Sequence, residues 1–546
     1  MPQLVLGPLL RYVSTTEATV WVETSEPCEV EVSGRREVTF GVDGHHFALV
    51  RIEGLEPGSR HEYEVRLDGE RRWPPPEDRL PPSTIRTLTP AKAFDVCFGS
   101  CRVALPHEEP YTLSKEDDER GRGLDALHVL AKQMCRGERD RWPELLFLLG
   151  DQVYVDEGSP KVRERIRRTR DTSRPPGEEV ANFEEYTWLY RESWQDPLLR
   201  WLLSTVSTSM QWDDHDVSDD WNISRSWVED MHETEWWSER AIGAIMSYWV
   251  YQHIGNLSPR ELDESDLYER VRGNPNAGEE LRAWAEEIDS TGAGARWSYC
   301  RDLDGTRAIF MDSRAGRVFD EGRSMFDEKV WEWIVDKAEG DFDHLLIATT
   351  VPFLLSPAFH HLEAWNERVA EGAWGARAAR QAERLRRAVD FDHWAAFQDS
   401  FAMLRDLLEE VAAGRRGRPP ATITILSGDV HHAYLCEVGF PREVGARSAV
   451  YQAVCSPYRN DLARRERATV RAGFSRPATA LARGLGRLAG APDPGIRWRL
   501  LDGPYFDNQV ATLRIAGREA TLRLDKTLPH DEQPDALECS FEHRLA

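Results

Sequence analysis

From Leu4 to Thr87 apolar and polar positions alternate in short runs, ATVWVETS, CEVEVSG, REVTFGV, HHFALVRIEGL and HEYEVRLDG, parted by Gly, Pro and charged turns. A period of two predicts strands with one buried face, and many short ones predict a small β-sandwich. A proline-rich link, WPPPEDRLPP, and the strand STIRTL end the unit. The pattern therefore places a first domain at residues 1–90 and a second at 91–546. The first reads as a packing or linker module without chemistry of its own.

Beyond residue 91 the pattern changes to short, wholly apolar runs separated by segments with helical spacing. Phe94 to Phe98, Leu145 to Leu149 and Thr422 to Leu426 are too short and too apolar for surface helices and predict buried parallel strands. WSYCRDL, TRAIFMDSR, HLLIATTVPFLLSP and YQAVCSP add further strands, and Gly123 to Arg136, Glu233 to Ile254 and Asp327 to Lys337 predict helices. This rhythm is that of an α/β fold with central sheets flanked by helices. Helical insertions are placed at 160–204, as scaffold or lid, and at 463–494, as a poorly packed or mobile cover. The hairpin NQVATLRIAGREATLRLD closes the chain.

Three of the apolar runs end in a glycine and a side chain able to bind a metal. Leu145 to Leu149 runs into Gly150-Asp151-Gln152-Val153-Tyr154, Phe94 to Phe98 into Gly99-Ser100-Cys101-Arg102, and Thr422 to Leu426 into Ser427-Gly428-Asp429-Val430-His431-His432. Open α/β sheets place ligands at the carboxyl ends of their strands. A strand, a helix and a parallel strand form a crossover, so Cys101 and Asp151 are predicted at the same edge of one sheet. A fourth segment, STSMQWDDHDVSDDWN, holds Asp213, Asp214, His215, Asp216, Asp219 and Asp220 within eight residues. So many carboxylates repel one another unless a cation resolves the crowding.

Composition narrows the partners. Of 546 residues, 94 are Asp or Glu and 69 are Lys or Arg, a formal net charge of −25. Nucleic acid and anionic membrane surfaces are therefore not expected to bind, and a negative substrate needs a local positive centre such as bound metal. The eight cysteines are far apart and predict free thiols. With neither a signal peptide nor a long apolar span in view, a cytoplasmic location is expected. Oligomeric state is not legible.

FGSCR, LLGDQVY, WDDHD and LSGDVHH in this order resemble the alkaline phosphatase D (PhoD-like) metallophosphatases, related to calcineurin-like and purple acid phosphatases. The resemblance covers nearly the whole chain, including the Asp312-Ser313-Arg314 strand end. It implies a metallophosphatase fold behind the β-sandwich, whose Leu55 to Tyr63 resembles the closing turn and strand of a fibronectin type III module. It also implies a metal-dependent phosphoric ester hydrolase acting on phosphate monoesters or diesters. The metal ligands it implies are Cys101, Asp151, Tyr154, Asp214, Asp429 and His431, with Asp151 bridging. Thiolate, phenolate and carboxylates together suit Fe(III) beside a harder ion such as Ca(II). His215 is implied as the group that contacts phosphate or protonates the leaving oxygen. Arg102 and Arg314 are candidates for phosphate contacts, since guanidinium matches that geometry. Asp216, Asp219 and Asp220 depart from the Glu and Asn common in the family, and could change metal choice or add a calcium site. The alternative is a metal-holding scaffold that binds a partner without catalysis.

Overall fold

Two β-sheets stacked face to face carry the longer, second part of the chain, and side chains such as Phe147 and Phe310, 4.8 Å apart between ring centres, fill the space between them. The computed structural model describes residues 1–546 apart from 78, 90–91, 293, 320–321 and 530–534. The boundary placed between residues 90 and 91 lies outside the described residues.

One sheet has six strands. Phe94–Gly99 pairs in parallel with Leu145–Leu149, which pairs in parallel with Ser207–Gln211. On its other side Phe94–Gly99 pairs antiparallel with the carboxyl-terminal hairpin Gln509–Ala516 and Glu519–Thr527, and Leu537–Arg544 closes the edge. Helix Ala126–Arg136 makes the predicted crossover, with Asp125 capping its first turn through the backbone N–H groups of Leu127 and His128. Cys101 and Asp151 thus leave one sheet edge together, as the sequence pattern implied.

The second sheet has seven strands, with Thr306–Met311, His344–Thr349, Thr422–Ser427 and Ala449–Val454 parallel at its centre. Glu328–Lys337 and Gln398–Ala413 are among the helices around it. Strand Ser207–Gln211 was not evident in the sequence. Its residues, STSMQ, are polar by composition yet buried throughout, with Ser207 Oγ donating to the Arg11 carbonyl, Thr208 Oγ1 to the Leu10 carbonyl and Gln211 Nε2 to the Met311 carbonyl.

The first 86 residues form two four-stranded sheets and a short strand pair, all β, as expected. This region is not a loosely appended module. Arg11, fully buried, donates to the carbonyls of Tyr251 and Gln252 at 2.9 and 2.8 Å and to Asn256 Oδ1 at 2.9 Å. Trp21 packs on Tyr251, and the Tyr63 hydroxyl donates to the Ser204 carbonyl at 2.6 Å. One apolar core runs through both parts.

The segment 463–494, read from sequence as poorly packed, forms helices Arg464–Gly473 and Arg476–Ala489, and the second lies along helix Pro357–Ala370. Small residues explain the packing: Ala482 and Ala489 are buried, and Ala489 shares a cluster with Val369. No helix among the described residues is long and apolar enough to cross a membrane. None of the eight cysteines, all among the described residues, is joined in a disulfide.

Candidate metal centre

Four of the proposed ligands sit in left-handed backbone just past their strands. Cys101 has φ 56°, Asp151 52°, Asp429 65° and His431 50°. Non-glycine residues rarely hold this conformation, which costs about 1–3 kcal/mol each and persists where surroundings over-determine it, as at functional sites. Glycines make the turns possible. A Cβ on Gly428 would lie 2.0 Å from Ser100 Oγ, and Gly150, at φ 106°, brings its backbone against Asp213.

These turns gather two sets of donors. One nitrogen, sulfur or oxygen atom from each of Cys101, Asp151 and His431 lies within 4.8 Å of the others, and the same holds for Asp151, Asp213 and Asp214. Asp151 belongs to both sets. The Tyr154 hydroxyl donates to Asp151 Oδ2 at 3.2 Å, placing the phenol beside the shared carboxylate. Cys101 Sγ receives a hydrogen bond from Ser456 Oγ at 3.0 Å and lies 3.0 Å from Ser100 Oγ.

The loop after Ser207–Gln211 is tied down by Asp216. Its carboxylate accepts the backbone N–H groups of Asp151, Val153 and Asp213 at 3.0, 3.2 and 2.9 Å. Asp216 therefore fixes the two ligand loops to each other rather than adding a cation ligand. Asp219 is mostly exposed, and Asp220 is pushed up to about 9 by burial and by Asp390 and Asp392.

His215 stacks on the Tyr154 ring with 4.5 Å between centres, and its Nδ1 lies 2.8 Å from Asp156 Oδ2. Burial opposes a charge on this imidazole. Asp156, Asp214 and Asp151 outweigh it, so its pKa stands well above the ordinary histidine value. His431 is the opposite case: burial, then His215, hold it neutral with a pKa of about 3, the form that binds metal.

The expectation that Arg102 and Arg314 grip phosphate is not met by their placement. Arg102 Nε donates to Asp125 Oδ2 at 2.7 Å and its Nη1 to the carbonyl and hydroxyl of Ser193, so the guanidinium points into the scaffold. Arg314 is held among carboxylates, pairing with Asp213 and Asp392 and with Asp429 Oδ1 at 2.9 Å. Both are buried, where a guanidinium is retained only with its hydrogen bonds filled. The Asp429 carboxylate is turned to Arg314 and, through Oδ2, to His393 Nε2 at 3.2 Å. His393 in turn reaches Glu363 Oε1 at 2.7 Å. Sequence reasoning missed Asp213 as a member of the donor set, and also His393 and Asp392. The last two stand in FDHWAA, at no strand-glycine junction, and carried no signal.

The donor set fits cations. Asp151 Oδ1 and Asp213 Oδ2 are buried without a hydrogen-bond partner, and Asp214 Oδ1 has only Arg314 Nη2, 3.5 Å away. An orphaned buried carboxylate oxygen is costly unless a positive ion meets it. Burial, and then the Asp151 charge, push the Cys101 thiol and Tyr154 phenol well above their ordinary values, so a cation is needed to draw off those protons.

Comparison with known proteins places the chain in a family. The PhoD-like phosphatase family matches residues 132–460, and a domain of unknown function (DUF7800) matches residues 1–85. No curated protein matches the chain. The solved structure of PhoD is similar with a TM-score of 0.60 at 12% identity, covering 100% of this chain and 90% of that one. The purple acid phosphatase PPD1 from yellow lupin (Lupinus luteus) seeds has a TM-score of 0.46 at 11% identity, covering 98% and 73%. With the family matched across more than half its length, this chain belongs to the PhoD-like phosphatases and is a metal-dependent phosphoesterase.

Proposed function

We propose that the centre hydrolyses phosphate esters, monoester or diester, with a metal pair, Fe(III) and Ca(II), held by Cys101, Asp151, Tyr154, Asp214, Asp429 and His431. The observation that carries this reading is the position of Asp151, whose carboxylate is common to both convergent donor sets. When bound, such metals supply Lewis-acid charge neutralisation at the phosphoryl oxygens and lower the pKa of the attacking water. Cys101, Tyr154 and His431 offer the sulfur, phenol oxygen and imidazole nitrogen that favour a transition metal, and Asp214 and Asp429 the oxygens that favour a hard ion.

His215 is the proton donor to the leaving oxygen. Asp156 at Nδ1 and the Tyr154 ring fix the imidazole, leaving Nε2 to meet the substrate, and the Asp156 carboxylate favours its protonated form. Arg314 positions rather than binds: it neutralises Asp213 and Asp429 and sets the direction of their oxygens.

The test is hydrolysis of a chromogenic phosphate monoester and the matching diester, side by side, by metal-loaded protein and by Asp151→Asn. Turnover of either ester that vanishes in the variant supports the reading, and the ratio of the two rates chooses between the ester classes. Turnover that survives Asp151→Asn overturns it. For the iron assignment, the loaded protein should show a visible phenolate-to-iron band that Tyr154→Phe shifts or abolishes. A colourless, fully active enzyme excludes Fe(III).

A further inference from the structure

Outside the catalytic centre, two imidazoles and a carboxylate converge where no step of phosphate hydrolysis uses them. His107 lies in the loop that follows Cys101, His128 on helix Ala126–Arg136, and Asp196 at the amino-terminal cap of helix Pro197–Thr205. The two rings stack with 3.8 Å between centres and 24° between planes. One donor atom from each of the three residues lies within 4.8 Å of the others. From this convergence we propose that His107, His128 and Asp196 form a separate structural site for a divalent transition ion, Zn(II) foremost.

Distances favour an ion over plain hydrogen bonds. His128 Nδ1 is 3.3 Å from Asp196 Oδ1, and His107 Nε2 is 3.9 Å from Asp196 Oδ2, too far for a hydrogen bond. Donors bound tetrahedrally at about 2.0–2.1 Å stand about 3.3 Å apart, so closing the set around one ion turns the imidazoles out of their stack and draws the three donors together. Two imidazole nitrogens and one carboxylate oxygen suit Zn(II), whereas Ca(II) takes oxygen alone. The side chains are 20, 12 and 24% exposed, which leaves room for a water as fourth ligand.

The site also has something to brace. Arg102, beside the ligand Cys101, bonds Asp125 and Ser193, each three residues before a member of the set, His128 and Asp196. Arg459 holds the carbonyls of Leu105 and Pro106, immediately before His107, at 2.6 and 3.0 Å. An ion here ties the loop after Cys101 to two helices, one layer behind the catalytic centre.

The experiment titrates Zn(II) into full-length Asp151→Asn protein and into the same protein carrying His107→Ala or His128→Ala, with bound metal counted by elemental analysis after dialysis. The expected result is one equivalent more in the parent than in either double variant, with affinity at this site at least 100-fold weaker in the variants. Zn(II) should also raise the melting temperature of the parent and leave that of the variants unmoved. Equal stoichiometry and affinity in parent and variants overturn the proposal. Should His128→Ala fail to fold, His107→Ala, on a loop, gives the same reading.

Discussion

Glu23 and Asp151 are both carboxylates with 1% exposure, and they meet burial in opposite ways. Glu23, between the β-sandwich and the catalytic half, has both oxygens engaged. Oε1 meets His45 Nδ1 at 3.0 Å and Arg191 Nη2 at 3.2 Å, and Oε2 accepts the Tyr251 hydroxyl at 3.2 Å. Asp151 has Tyr154 on one oxygen and nothing on the other. A buried charge that is fully paired is part of the framework, whereas one left open inside a ring of further carboxylates is waiting for a cation. The difference separates two kinds of polar core in one molecule, and substitution should separate them by sign as well as by size.

The largest effect is expected at Asp151. Asp151→Asn should lower turnover by about 10³-fold, as loss of a principal electrostatic element does, and deplete metal. Burial raises the Asp151 pKa well above the ordinary value, so its ionised form is penalised in the metal-free fold as pH rises past the carboxylate range. Asn removes that penalty, and calorimetry should find the metal-free variant at pH 7 at least as stable as wild type. A clear loss of stability would place Asp151 with Glu23.

His215→Asn should come next, slowing turnover by about 10²–10³-fold. The loss should be greater for esters of poor leaving groups, and elemental analysis should find metal content unchanged. An equal loss for good and poor leaving groups would remove the proton-donor role.

Glu23→Ala should cost about 3 kcal/mol of stability, since it strands His45 and Arg191 at a buried interface. Denaturant unfolding measures this. Below the transition kcat and KM should stay at wild-type values, and a fall in kcat with stability intact would show that the interface reaches the centre.

The smallest effect sharpens the comparison through pH. Burial opposes a charge on His45, but Glu184 and Glu23 outweigh it and push its pKa up to about 9. A raised histidine pKa stabilises the fold fully below the unfolded value, near 6.5, and the gain is lost as pH rises through about 9. Glu184 is half exposed, which screens its share, so His45→Gln should cost about 1–2 kcal/mol at pH 6. The melting temperatures of wild type and variant should converge above about pH 10.

Much of the fold was legible because strand and helix periodicities are local. Leu145–Leu149, wholly apolar, declared itself a buried strand, and GDQVY after it declared a ligand loop. Ser207–Gln211 did not, because STSMQ is buried only through partners distant in sequence. The segment 463–494 was legible as a largely exposed helical cover, with Leu481 and Leu488 in solvent, but its contact with the body was not. Its arginines and alanines suggest exposure, and only the neighbouring helix Pro357–Ala370 shows which small residues face inward.

For the site, the sequence by itself offered the candidate donors and placed three groups of them after apolar strands. Cys101, Asp151, Tyr154, His431 and the WDDHD carboxylates were all visible as side chains able to bind a cation. Tertiary structure alone decided which of them converge. It brought Asp213 into the set with Asp151 and Asp214, and sent Arg102 into the scaffold. It closed Arg314 among carboxylates and set His393 against Asp429. The physical reason is range: periodicity and turn chemistry act between neighbours in the chain. The pairing of a buried charge depends on whichever groups two stacked sheets bring within a few ångströms, and residue types do not encode those distances one at a time.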